Sequence, residues 1–223
     1  MMKDIPIFIC NFNRFGPTKR LVKSLLSRNY TNIIILDNAS EYPALLEWYA
    51  TCPAKVHRFP TNEGQGTLKR IPDYQHIINN QLYVYSDSDV IPVDEAPVDF
   101  IDHMAEIMRE KHIPKLGLSL KYDDLPDCYK HKQEVMNHES VITRLPFFDH
   151  KYCRIYKFPV DTTFAVCGTP LCDYDGRAWR TGWPYSARHA PWYYDSNNLP
   201  EDEQVMRAKS LAKCNCHWSA KGG

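Results

Sequence analysis

The sequence predicts an α/β fold in which a mostly parallel central sheet is flanked by helices, with a loop-rich second lobe. Three observations carry that prediction. Short apolar runs alternate with segments whose apolar residues recur at helical spacing, and such alternation implies parallel strands joined by crossover helices. The first, second and fourth runs are apolar at consecutive positions, the pattern of strands buried on both faces. Each of the first four runs then stops at a polar cluster, and parallel sheets bind ligands beyond the carboxyl ends of their strands.

The first strand is Ile-Pro-Ile-Phe-Ile-Cys over 5–10, and it breaks into Asn11-Phe12-Asn13-Arg14-Phe15-Gly16. Pro17 and Thr18 open a helix that carries Leu21, Val22, Leu25 and Leu26 on one face. Ile33-Ile34-Ile35-Leu36 forms a second strand, which ends at Asp37-Asn38-Ala39-Ser40. A short helix with Leu45, Leu46, Trp48 and Tyr49 precedes a third strand over 55–59. The turn Asn62-Glu63-Gly64 and a helical stretch lead to a fourth strand, Leu82-Tyr83-Val84-Tyr85-Ser86, which stops at Asp87-Ser88-Asp89. A helix around Phe100, Ile101, Met104, Ile107 and Met108 and a strand over 115–120 continue the pattern. Beyond Tyr122 regularity fades into a segment crowded with Pro, Tyr, Trp, His and Asp, and a last helix covers 201–213. The expected organisation is one domain over 1–223, with halves 1–95 and 96–223. The closing Ser219-Ala-Lys-Gly-Gly reads as a frayed end, the kind left when a domain is cut from a longer chain.

Composition narrows the function classes. The chain has 223 residues, with 27 Lys plus Arg against 27 Asp plus Glu, so its formal charge is zero. A protein that wraps nucleic acid needs a basic surplus. No apolar run approaches the roughly 20 residues of a membrane span. The first residues lack the apolar stretch of a secretory leader, which points to the cytoplasm. Eight cysteines then read as reduced, mostly buried thiols rather than a disulfide framework. Cys214-Asn215-Cys216-His217 is at most half a zinc site.

Asp87-Ser88-Asp89 is the sharpest motif. Two carboxylates at a strand end bind a hard divalent cation, and the cation complements a diphosphate. In an arbitrary sequence the same tripeptide is a solvated turn. Its place after the fourth strand makes the difference.

The opening Ile-Phe-Ile-Cys-Asn-Phe-Asn-Arg, then Asp37-Asn38-Ala39-Ser40, Asn62-Glu63-Gly64 and Asp87-Ser88-Asp89, in that order, resemble nucleotide-sugar glycosyltransferases of the Rossmann-like GT-A fold, especially the family-2-like enzymes. The resemblance covers 1–95 and rests on single signatures beyond. It implies that Asn11 and Arg14 line the nucleotide pocket and that Asp37 hydrogen-bonds the base. It places Asn62 and Gly64 near base and ribose, and Arg70 beside the base. Asp87, Ser88 and Asp89 would meet the ribose and the metal on the diphosphate, with Asp89 the more direct ligand of manganese or magnesium. Asp37 or Asn38 as a helix cap, and Arg70 as a surface cation, are the plainer alternatives.

The second half must supply a base and an acceptor surface. Asp161 lies in the apolar stretch 158–166, where desolvation would raise its pKa and suit general-base work. A buried Asp satisfied by backbone or Thr hydroxyls is the alternative. Glu201, Asp202 and Glu203 are rival bases that also fit the first turn of a helix. A late His commonly completes the metal shell in the resembled enzymes, which implies His189, and Arg188 would balance phosphate charge. A His bonded to a carbonyl is the plain reading of His189. Trp179, Trp183, Trp192 and Tyr193 are acceptor-stacking candidates, or packing.

The resulting expectation is a metal-dependent transferase that moves a sugar from a nucleoside diphosphate sugar, UDP-sugar favoured, to a hydroxyl of a glycan or glycoprotein, with inversion. The alternatives are a nucleotidyltransferase acting on sugar phosphates and a non-catalytic carbohydrate- or nucleotide-binding module. The first of these needs a Gly-rich basic loop after the first strand, and 11–16 holds one Gly.

Overall fold

The computed structural model describes residues 3–160, 164–168 and 178–210. Strand β1 (Ile7–Asn11), helix α1 (Gly16–Leu26), β2 (Ile33–Asp37), α2 (Pro43–Tyr49) and β3 (Lys55–Arg58) follow in order. Two 3₁₀ turns, Gly64–Arg70 and Pro72–Tyr74, and a short α3 (Gln75–Asn80) precede β4 (Tyr83–Asp87). Here the expected helical stretch is broken, because Pro72 has no N–H to continue a helical ladder.

The second half contributes β5 (Val90–Pro92), α4 (Phe100–Lys111), β6 (Lys115–Gly117), β7 (Ser119–Leu120) and α5 (Lys132–Ser140). It continues with β8 (Phe147–Asp149), β9 (Arg154–Tyr156), β10 (Ala165–Cys167), β11 (Trp179–Thr181), β12 (Ser186–His189) and α6 (Glu201–Ser210).

A nine-stranded sheet runs β3-β2-β1-β4-β10-β6-β11-β9-β8, and a second sheet runs β5-β12-β7. The pairings β2–β3, β1–β2, β1–β4 and β6–β11 are parallel, while β4–β10, β6–β10, β9–β11 and β8–β9 are antiparallel. The large sheet is therefore mixed, which corrects the mostly parallel expectation. Parallel order holds where helices or helical turns return the chain, as between β1 and β4. The short strands of the second half arrive largely through loops, so nothing imposes a common direction. Of those strands, β6, β8, β9, β10 and β11 extend the same sheet, and β5, β7 and β12 form the small one. The run 115–120 is likewise two strands, split at Leu118 between the two sheets.

Alternation along the central strands explains the layers. Ile7, Ile9, Ile33, Ile35 and Val84 face one apolar core with Leu21, Val22 and Leu25 of α1 and Phe100, Met104 and Ile107 of α4. Phe8, Ile34, Leu36 and Tyr83 face the other, with Leu68, Ile71, Tyr74 and Ile78. With both faces covered, β1, β2 and β4 can present polar side chains only at their ends.

Candidate functional site

The ends of β1 and β2 are tied by side chains. Asp37 is fully buried, and its Oδ1 accepts from Tyr49 Oη at 2.9 Å. Its Oδ2 accepts from Ser40 N at 3.1 Å and from Arg58 Nε at 3.1 Å. Asn11, also buried, donates to the same Tyr49 oxygen at 2.9 Å. Arg58 donates to Ser40 O at 2.8 Å and lines a groove of about 490 Å³ with Ala39, Ser40, Glu41, Phe59 and Pro60. Both oxygens of Asp37 thus already have partners, and the charged groups on the groove wall are Arg58 and Glu41. Sequence reasoning missed Arg58 and Tyr49. The former lies within the third strand with no pattern to mark it, and the latter fitted a helix's apolar stripe.

Asn38 links this edge to the next turn. It donates to Gly64 O at 3.3 Å and accepts from Glu63 N at 3.1 Å. Gly64 has φ +71°, a left-handed conformation that suits glycine. Asn62 Oδ1 accepts from Gly64 N at 3.0 Å, and Arg70 is an exposed cation paired with Glu63. Asn62, Gly64 and Arg70 therefore lie together in one exposed turn.

Beyond β4 the chain bends through Asp87-Ser88-Asp89 directly into β5. Ser88 is buried and its N donates to Cys10 O at 3.0 Å, extending the β1–β4 edge by one bond. Burial and then the nearby Asp87 charge push the Cys10 thiol up to about 12, which keeps it protonated at neutral pH. Antiparallel pairing sets His189 of β12 opposite Val90 of β5, beside Asp89. His189 Nε2 then lies 3.3 Å from Asp89 Oδ2. Arg14, just ahead of α1, reaches the same oxygen at 2.7 Å. Burial opposes ionisation of Asp89, but Arg14 and then His189 outweigh it and hold the carboxyl below its usual range.

The rival acidic cluster is engaged structurally. Asp202 Oδ2 accepts from Phe15 N at 2.8 Å and Gly16 N at 2.7 Å, capping the orphan donors at the head of α1. Glu203 accepts from Arg14 Nε at 2.9 Å and Arg207 Nε at 2.9 Å. Glu201 accepts from Tyr42 Oη at 3.0 Å. Asp161 lies outside the described residues, as do Cys214, Cys216 and His217 of the half zinc site. Among the described residues no cysteine forms a disulfide; Cys153 and Cys167 are buried, Cys10 and Cys52 half-buried, and Cys128 is exposed.

The aromatic candidates separate. Trp192 is buried with its ring edge-on to His189 at 4.8 Å, and Trp179 packs on Phe148 at 5.2 Å. Tyr193 Oη donates to Asp124 Oδ1 at 2.6 Å, while Arg188 donates to Asp124 Oδ2 at 2.6 Å. Arg188 is thus committed to Asp124, a residue absent from the sequence expectations. Trp183 is 54% exposed. It lines a cleft of about 400 Å³ with Lys121, Asp123, Thr143, Tyr156 and Ser186, and the Lys121 ammonium lies 4.8 Å from its ring centre. Gly182 fixes its approach, since an added Cβ there would fall 2.9 Å from the Arg154 carbonyl oxygen.

A divalent cation fits Asp89 and His189. Two donors at about 2.1 Å from one small cation, at roughly a right angle, stand about 3 Å apart, close to the observed spacing. Asp89 Oδ1 is also buried, with no hydrogen-bond partner among the described residues. Among the described residues no cluster of three or more His, Cys, Asp or Glu could hold a metal. Magnesium-type cations commonly take only one or two protein ligands and complete their shell with substrate phosphates.

No family model and no curated protein matches the chain. Among solved structures, it is similar to the mannosyltransferase PcManGT from Pyrobaculum calidifontis in complex with GDP-Man and Mn2+, with a TM-score of 0.52 and 11% identity over 93% of this chain and 60% of that one. The chain therefore spans less than two thirds of that protein, and the likeness is one of fold. A cytidylyltransferase from Leptospira borgpetersenii matches with a TM-score of 0.38 and 16% identity over 55% of this chain and 56% of that one. Among the described residues no helix is long and apolar enough to cross a membrane.

Proposed function

We propose that the chain is a metal-dependent glycosyltransferase that moves a sugar from a nucleoside diphosphate sugar to a hydroxyl of a glycan or glycoprotein. The carrying observation is the meeting of Asp89 and His189 at the carboxyl edge of the β1–β4 strands, 3.3 Å apart. The fold shared with a mannosyltransferase supports the reading.

Asp89 and His189 would hold manganese or magnesium, with Asp87 close by on the same turn. When bound, the cation supplies charge stabilisation to the departing diphosphate. The groove between Asp37-bound Arg58 and Pro60 would seat the nucleoside, with Arg58 offering donors to it. Asn11 and Asp37 act there by fixing Tyr49 and Arg58, and Asn62, Gly64 and Arg70 form the adjoining rim. The cleft at Trp183 would receive the acceptor sugar, its ring lying on the indole as sugar C–H faces do on aromatics. Trp179 and Trp192 would support that region through packing, and Tyr193 and Arg188 through Asp124.

For the base we keep Asp161. Asp202 and Glu203 are already engaged as acceptors, Asp202 of the backbone donors at the head of α1 and Glu203 of the Arg14 and Arg207 guanidinium groups. Asp161 would take the acceptor's hydroxyl proton as that oxygen attacks the anomeric carbon in line, with inversion.

The test is a donor panel of UDP-, GDP- and TDP-sugars assayed for transfer or hydrolysis with and without Mn2+. UDP-sugars are the expected donors, and GDP-mannose belongs in the panel because the fold neighbour was solved with it. Turnover that requires the cation and is lost in Asp89→Ala supports the reading. Absence of turnover and of donor binding across the panel overturns it. Near-normal transfer by Asp161→Asn would remove Asp161 as the base.

A further inference from the structure

Arg14 stands where an incoming cation would meet repulsion. Its Nη1 lies 2.7 Å from Asp89 Oδ2, the oxygen that also faces His189 Nε2 at 3.3 Å. Its Nε lies 2.9 Å from Glu203 Oε2, and its Nη2 lies 3.5 Å from Glu203 Oε1. Asp89 and Glu203 are each 1% exposed, whereas the Arg14 side chain is 16% exposed. One guanidinium thus joins two buried carboxylates from different halves of the chain. Arg207 binds the far oxygen of Glu203 at 2.9 Å.

We propose that Arg14 is a built-in competitor of the divalent cation at Asp89, so that the chain binds the cation weakly alone and tightly together with a nucleoside diphosphate. This rests on the reading of Asp89 and His189 as cation ligands.

The physics is short-range. Two buried carboxylates without a counter-charge would be costly, so the cation-free chain needs a guanidinium between them. A dication seated on the same Asp89 oxygen would face that guanidinium at near contact in a site of low dielectric, where like charges repel strongly. The guanidinium must then shift its charge, and a diphosphate is its natural bidentate partner. Cation and diphosphate would therefore favour each other's binding through Arg14, beyond the direct bond between them. Arg14 has somewhere to pivot, because its Nε–Glu203 contact can hold while Nη1 leaves Asp89. Burial by itself would lower the Arg14 pKa, but Asp89 and Glu203 raise it, so the competitor stays charged at every working pH.

The test measures Mn2+ binding by calorimetry and electron paramagnetic resonance, with and without UDP or GDP, in the intact chain. Arg14→Gln is expected to bind Mn2+ alone at least about tenfold more tightly than the wild type, and to lose most of the tightening that nucleotide causes. Mn2+ should also raise its unfolding temperature more than it raises that of the wild type. Should Arg14→Gln fail to fold, Arg14→Gln with Glu203→Gln, compared with Glu203→Gln alone, removes the stranded carboxylate and should show the same gain. If Mn2+ binds the wild type and the Arg14 variants bind it equally or more weakly, the competitor role is overturned while the cation site stands. If the wild type binds no Mn2+ even with UDP or GDP, both the site and the competitor role fall.

Discussion

Asp89 and His189, from different halves of the chain, meet at 3.3 Å because β5 begins one residue after Asp89 and pairs with the strand that ends at His189. The contact is set by backbone register. His189 stands opposite Val90, and Ala190 N donates to Asp89 O at 2.8 Å. A slip of one residue would turn His189 to the other face of the small sheet.

Replacing His189 by Ala should therefore weaken Mn2+ binding while leaving the strand pair formed. The β5–β12 bonds are backbone bonds, and the imidazole Nδ1 has no hydrogen-bond partner among the described residues. We expect a loss on the order of tenfold or more in Mn2+ affinity, measured by calorimetry in the presence of UDP or GDP. Circular dichroism should be unchanged. Equal affinities would remove His189 from the ligand set.

Asp89 also ties stability to pH. Its carboxyl is held below the usual range because Arg14 and His189 outweigh the opposing effect of burial. A depressed carboxyl gives stability that is present above the unfolded value, near pH 4, and fades as pH falls toward the folded value. Wild type should thus unfold at a higher temperature than Asp89→Asn at pH 7, and the gap should shrink steadily below about pH 4. Thermal unfolding at stepped pH measures it. A gap that is constant from pH 7 to pH 3 would show that Asp89 is not ion-paired as described.

Asp202 caps α1 from a distance, which its own helix gives no hint of. Its carboxylate receives Phe15 N and Gly16 N, donors that α1 itself cannot satisfy. Asp202→Ala should cost about 1 to 3 kcal/mol, the range for lost caps and for buried donors left unmade. Chemical denaturation should show a lower midpoint. Asp202→Asn, which keeps one acceptor oxygen, should recover part of the loss.

These contacts mark what was legible in the sequence. The strands β1, β2 and β4 were readable because burial on both faces leaves continuous apolar runs such as Ile33 to Leu36, whereas β3, with exposed Lys55 and Arg58, was readable only from its place in the alternation. The polar ends of those strands were readable for the same reason, since charge there has to emerge at an edge. The antiparallel insertion of β10 between β4 and β6 was not readable, because three residues, Ala165–Cys167, carry no direction. Nor was the pairing of Arg14 with Glu203. Acidic residues in the first turn of α6 satisfy a local rule, and only tertiary contact shows that they also serve α1 and the Asp87–Asp89 turn. Asp124 escaped notice because Asp123-Asp124 after a short strand looks like an ordinary solvated turn.

Trp183 offers the cleanest separation of acceptor binding from folding. At 54% exposure its ring contributes little to the core, so Trp183→Ala should move the unfolding free energy by no more than about 0.5 kcal/mol. The indole nonetheless forms one wall of the cleft, with Lys121 over its ring and Asp123 and Thr143 among the lining residues that can take sugar hydroxyls. Losing it should lower transfer to glycoside acceptors on the order of tenfold, the scale of about 1.4 kcal/mol of stacking and burial. Cation-dependent hydrolysis of the donor should continue at its former rate, because Trp183 lines neither the groove at Arg58 nor the Asp89–His189 contact. Parallel assays of hydrolysis and transfer on one preparation decide the matter. A matched fall in both rates would place Trp183 in the donor site or in the fold, and an unchanged pair of rates would move the acceptor elsewhere on the molecule.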